Sequence, residues 1–163
     1  MGQIVVRLPH ELDELVCSFA FIENLKFFYE TDDIHLIVDK DYAPYLVLLP
    51  FNAFIHVFDN DEYPGVLDIP RFVAHQRNIT DVERFYSLTD SKIDAAFGKA
   101  FNAKEKVGFK FGFSANILFD KKILCSDSLH PMHKYLKLME GNLKKDANYF
   151  SRELTSIVQD LYM

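Results

Sequence analysis

Tryptophan is absent from this chain, and cysteine occurs only twice. Cys17 and Cys125 lie far apart, with no Cys-x-x-Cys spacing, which excludes a disulfide framework and makes a reduced, cytosolic compartment the default. No stretch reaches the ~18 apolar residues of a spanning helix, and no charged start leads into a signal-type apolar core. The expectation is a soluble, cytoplasmic chain, with surface attachment to a membrane left open. Basic residues are also scarce. Eighteen Lys and Arg against 24 Asp and Glu give a net charge of −6, which argues against a nucleic-acid partner but leaves room for a local basic patch. There is no P-loop, no Gly-x-Gly-x-x-Gly, no Ser-His-Asp arrangement, no repeat and no low-complexity tract.

What is present is apolar and aromatic. Sixteen Phe and eight Tyr among 163 residues, with 49% hydrophobic residues, supply one domain of ordinary size with an aromatic-rich core. Strand and helix patterns alternate along it. Strands are expected at Gln3–Leu8, Ile34–Val38, Ala53–Phe58, Glu83–Leu88 and Lys106–Phe109. Helices are expected at Glu14–Glu30, Asp41–Leu49, Leu67–His75, Ser91–Phe101, Leu129–Gly141 and Asp146–Leu161. The stretch Lys110–Ser128 carries no clear period and reads as an excursion with short extended pieces. Such alternation implies βαβ units. The expected fold is α/β, a Rossmann-like three-layer domain with a mostly parallel sheet of about five to seven strands. Residues 1–145 form its body. The final helix, 146–163, carries an apolar stripe of Tyr149, Phe150, Leu154, Ile157, Val158 and Leu161 that packs on the sheet or docks another chain.

In such a sheet, ligands bind outside the carboxyl ends of the strands. The first strand, Ile4-Val-Val-Arg-Leu, runs through Pro9-His-Glu-Leu into Asp13 and a long apolar helix. Asp13 therefore stands either as a chemical group or as the N-cap of that helix. Asp90 or Ser91 is expected to cap the helix after the fourth strand. His130 and His133 have a spacing that can share a metal, but no neighbouring ligand completes a set, so capping or packing is expected of them. Cys17 is expected in the core.

The order of these segments resembles the N-terminal half of glycosyltransferase family 9, the ADP-heptose:lipopolysaccharide heptosyltransferases. The resemblance rests on the opening strand, loop and helix, on His35–Tyr45, Phe54–Asp59, Phe85–Asp94, Lys106–Phe109 and His130–Met139, and it spans about residues 3–142. It implies one half of a GT-B fold, in which this domain receives a lipid-linked saccharide acceptor. The ADP-sugar donor would bind a second domain outside these residues, so a second glycosyltransferase chain is an implied partner. No metal or other cofactor is implied for this half. The setting implied is lipopolysaccharide biosynthesis at the inner face of the inner membrane, with peripheral membrane contact.

The resemblance also implies site residues. Asp13 would be the general base that takes a proton from the acceptor hydroxyl. His10 and Glu11, in the same loop, would orient the acceptor or set the charge of Asp13. Thr89, Asp90, Ser91 and Lys92 would line the same cleft, or simply cap a helix. Arg71, Arg77, Lys104, Lys106 and Lys110 would either form a basic surface for acceptor phosphates or remain scattered and solvated. One departure stands out: Leu12 occupies the place of the family's glycine, where small size and free φ would allow close approach of a ligand. Heptose-like transfer is one reading, and a non-catalytic relative that binds a glycan or a protein is the other.

Overall fold

A computed structural model of the chain describes residues 2–29, 32–50, 52–110, 117–124 and 128–143. The expected final helix 146–163 and Cys125 lie outside these residues. Six strands form a single sheet: β1 (Gln3–Arg7), β2 (Asp33–Asp39), β3 (Phe54–Phe58), β4 (Val82–Ser87), β5 (Glu105–Phe109) and β6 (Lys121–Ile123). Their order is β3-β2-β1-β4-β5-β6, and every adjacent pair is parallel. This is the doubly wound Rossmann order, whose switch point lies between β1 and β4. The helices are α1 (Leu12–Phe28), α2 (Ile69–His75), α3 (Lys92–Ala100) and α4 (Pro131–Leu143).

Alternation along β1 builds the three layers. Ile4 and Val6 point to one face, where they pack with Leu15, Phe19 and Ile22 of α1 and Leu136 and Met139 of α4. Val5 points to the other, where it joins Phe72 of α2, Phe97 of α3 and Phe58 of β3. The rings of Phe58, Phe72 and Phe97 meet edge to face, with centroids 5.1 to 5.6 Å apart, a geometry that adds to their burial. Phe58, Phe72, Phe85, Phe97, Phe101 and Phe119 are buried on this α2–α3 face, and Phe19 and Phe21 on the other.

Three boundaries differ from the sequence pattern. The segment expected as a helix over 41–49 is a 3-10 turn, Ala43–Leu48, with Pro44 in its opening turn. The unassigned stretch after 110 contributes β6, too short to show a period. Helix α1 begins two residues early. Glu11 is its N-cap in extended conformation, with no side-chain capping bond, so Asp13 does not cap it. Asp13 and Glu14 instead occupy the first turn, where the helix dipole favours carboxylates.

Gly108 of β5 lies against the buried ring of Phe119, and a Cβ placed there would overlap that ring. Gly108→Ala is expected to cost about 1–3 kcal/mol through overpacking. Gly65→Ala, whose Cβ meets only a carboxylate oxygen at 3.6 Å, serves as the near-neutral control. Urea midpoints of the two variants check the difference.

Candidate functional site

The loops leaving β1 and β4 diverge to opposite faces of the sheet and open a cleft of about 530 Å³. His10, Glu11 and Glu14 form one wall. Leu88, Thr89 and Asp90 form the floor beyond β4, and Phe109 with Lys110 extends it past β5. Pro131, Lys134 and Tyr135 of α4 close the far side. Carboxylates thus crowd the α1 side, and two lysines stand on the α4 and β5 side.

Beneath the cleft lies a cluster of four charged side chains. Arg7, at the carboxyl end of β1, is fully buried. Its Nη2 reaches Asp39 Oδ1 at 2.6 Å and its Nε reaches Asp94 Oδ1 at 2.9 Å. Its guanidinium carbon lies 5.2 Å from the Phe58 ring centre and 5.6 Å from that of Phe97, a cation–π setting. His10 closes the ring of charges. Its Nδ1 is 2.6 Å from Asp39 Oδ2 and its Nε2 is 2.5 Å from Asp94 Oδ2. Thr89 Oγ1 donates to the same Asp94 oxygen at 2.7 Å. The strand ends of β1 and β2 and the start of α3 supply the three buried members, so the sheet order itself assembles the cluster.

The electrostatics follow from these contacts. Hydrogen bonds to Asp39 and then to Asp94 raise the His10 imidazole to about 9, against the opposing effects of burial and of Arg7. Burial alone would push the Asp94 carboxyl up, but the bond from His10 and the charge of Arg7 outweigh it and hold it at about 2. Asp39 is lowered by the same partners, again against its burial. Glu14 moves the other way: burial raises it, and Glu11, Asp13 and Asp90 raise it further. Burial likewise raises the phenol of Tyr135.

His10, Glu11, Thr89 and Asp90 come together in the lining of the cleft. Asp13 and Lys92 are exposed and lie outside its lining. Ser91, not Asp90, caps α3, its Oγ accepting from the Asp94 amide at 3.4 Å. The suggested basic residues do not converge. Arg71 bonds the Glu62 carbonyl and Asp68, Lys104 pairs with Glu83, and Lys106 lies by Asp120. Lys110 alone of that set reaches the cleft. His130 accepts from the Met132 amide at the start of α4, and Cys17 is buried. Among the described residues, no three His, Cys, Asp or Glu side chains are grouped to hold a metal. No helix among them is long and apolar enough to cross a membrane.

Sequence reasoning passed over Arg7, Asp39, Asp94 and Glu14. The available signal was a single charge inside the run Ile-Val-Val-Arg-Leu, since a buried guanidinium requires buried counter-charges.

No family model matches the sequence, and no curated protein matches it significantly. Solved structures do match. A glycosyltransferase family 9 protein from Veillonella parvula superposes with a TM-score of 0.75 at 14% identity, over 85% of this chain and 41% of that one. The ADP-heptose lipopolysaccharide heptosyltransferase II of E. coli gives 0.69 at 17% identity, over 85% and 40%. An E. coli heptosyltransferase in complex with ADP gives 0.70 at 8% identity, over 88% and 48%. The chain has the fold of one part of these enzymes and spans less than half the length of each.

Proposed function

We propose that this domain receives a saccharide acceptor for transfer of a heptose-like sugar from an ADP-sugar, the donor being held by a second half outside these residues. The observation that carries the reading is the cleft at the β1–β4 switch point, in a fold shared with heptosyltransferases. Two carboxylates in the first turn of α1 are available for proton abstraction. Asp13 holds the position that the family resemblance assigns to the base. Glu14 lines the cleft itself, and burial and the neighbouring carboxylates raise it, which makes it a stronger proton acceptor than an ordinary glutamate. The base takes the acceptor hydroxyl proton as that oxygen attacks the anomeric carbon and the nucleoside diphosphate departs. Thr89 and Asp90 offer hydrogen bonds to acceptor hydroxyls, and no metal enters the step. A lipid-linked, lipopolysaccharide-type acceptor would bring the domain to the inner face of the inner membrane as a peripheral partner.

The test is reconstitution with a donor-binding half and an acceptor saccharide. Removing the base, by Asp13→Asn or Glu14→Gln, should lower kcat by about 10²–10⁴. Wild-type turnover from both variants sinks the base assignment. Leu12, 39% exposed at the start of α1, favours a second reading, because its bulk stands where the family has glycine. That reading is a non-catalytic module, for which saturable glycan or protein binding without turnover is the expected result.

A further inference from the structure

We infer that His10 is a positioning residue: as a doubly hydrogen-bonded imidazolium it latches the β1–α1 loop to the ends of β2 and α3, fixing where the first turn of α1 stands. The proton inventory requires this charge state. Asp39 and Asp94 each already accept from Arg7, which keeps both as carboxylates, and a carboxylate only accepts. Arg7 Nη2 also approaches Nδ1, but at 3.5 Å, far longer than the 2.6 Å from Nδ1 to Asp39 and the 2.5 Å from Nε2 to Asp94, so the short contacts set the protons and both nitrogens donate to carboxylates. The raised imidazole agrees with that assignment.

Glu11 caps α1 through its backbone alone, so the helix start is not held by a side-chain cap. His10 sits one residue before that cap and binds elements that are distant in sequence. Its ring is also a wall. It lines the main cleft and a second cavity of about 380 Å³ on the β2–β3 side, where Asp39, Lys40, Tyr42, Phe58 and Asp59 stand. The charged and titratable groups facing it are Arg7 from β1, Asp39 from β2 and Asp94 from α3, with Glu11 and Glu14 beside it on the same wall, Asp90, Lys110, Lys134 and Tyr135 across the main cleft, and Lys40, Asp41, Asp59 and Asp61 around the second. The latch exists whether or not the cleft transfers sugar, so its test needs no substrate.

Two measurements decide it on the whole chain. In an NMR titration of the histidine-labelled wild-type protein, the His10 ring should carry both N–H protons at neutral pH and lose one only near pH 9. A single neutral tautomer at pH 7 would overturn the latch. Amide exchange at Leu15, Val16 and Cys17 reports the first hydrogen-bonded amides of α1. His10→Gln, which removes the charge from a partly exposed side chain, should speed that exchange about tenfold at pH 7. His10→Lys, which keeps a cation with several donors, should restore most of the protection. Exchange unchanged in His10→Gln, or equally fast in His10→Lys, would refute a charge-dependent hold on the loop.

Discussion

Arg7→Met will destabilise the domain by about 3–5 kcal/mol, the range for removing one partner of a buried ion pair. The side chain is fully buried, and Asp94 and Asp39 are 2% and 8% exposed. Its loss leaves two carboxylates under the sheet with one cation, His10, between them. Methionine fills the space between Phe58 and Phe97, so the loss is one of charge rather than volume. Against a typical domain stability of about 5–15 kcal/mol, the change is large. It should appear as a lower urea midpoint with an unchanged slope. Adding Asp94→Asn to Arg7→Met should recover part of the loss, because the second change removes a charge that the first had orphaned. The sign with pH is fixed by the direction of the shifts. Asp94 and Asp39 are lowered in the folded state, so their contribution is present above 3.8 and is lost as pH falls toward 2 for Asp94. The gap between wild type and variant should therefore narrow in that acid window. A loss under about 1 kcal/mol at pH 7 would mean that water, not Arg7, neutralises the two carboxylates.

The layered architecture was legible in the sequence because β1 and β2 are β-branched runs and the apolar segment between them is too long for a strand. The site was legible only in part. His10, Glu11, Thr89 and Asp90 could be placed from the rule that cleft loops follow strand ends. Arg7 could not, because it continues an apolar run and its partners lie 32 and 87 residues away. Only the strand order brings them together. The start of α1 was misplaced for a local reason: Glu11 leaves no side-chain capping signature, so the aspartate two positions on looked like the cap. Glu14, one residue further into the first turn, lines the cleft, and Asp13 lies outside its lining. His35 and His56 were hidden in another way. Each sits alone in an apolar strand, and only the register that sets Ile37 opposite His56 makes them diagonal neighbours.

Those two histidines carry the second large effect: acidification from pH 6.5 to 4 will remove about 3 kcal/mol of stability through His35 alone. Both rings are buried, at 1% and 6% exposure. They form a chain of hydrogen bonds at the amino end of the sheet, away from the cleft. Gln3 Nε2 can only donate, so His35 Nε2 accepts at 3.4 Å. His35 Nδ1 then donates to His56 Nε2 at 2.9 Å, and His56 Nδ1 donates to Gln76 Oε1 at 2.9 Å. Every ring carries one proton, and the chain is complete while both are neutral. A proton on His35 Nε2 would face the Gln3 amide donor and stand beside a second imidazole. Burial, and then the neighbouring His56, lower His35 to about 4. Burial lowers His56 too, against the bond to Gln76. A histidine lowered on folding takes its proton first in the unfolded chain, so stability falls as pH drops below 6.5 and levels off near 4. His10 has the opposite sign: its contribution is intact below 6.5 and is lost as pH rises through about 9. The carboxylates of the cluster act only below 3.8, so the three windows are separable. Urea unfolding at pH 7, 5.5 and 4.5 measures the slope. His35→Phe, which keeps a ring against Phe54 and cannot titrate, should flatten it. An equal slope in wild type and His35→Phe would show that His35 is not the group taking up the proton.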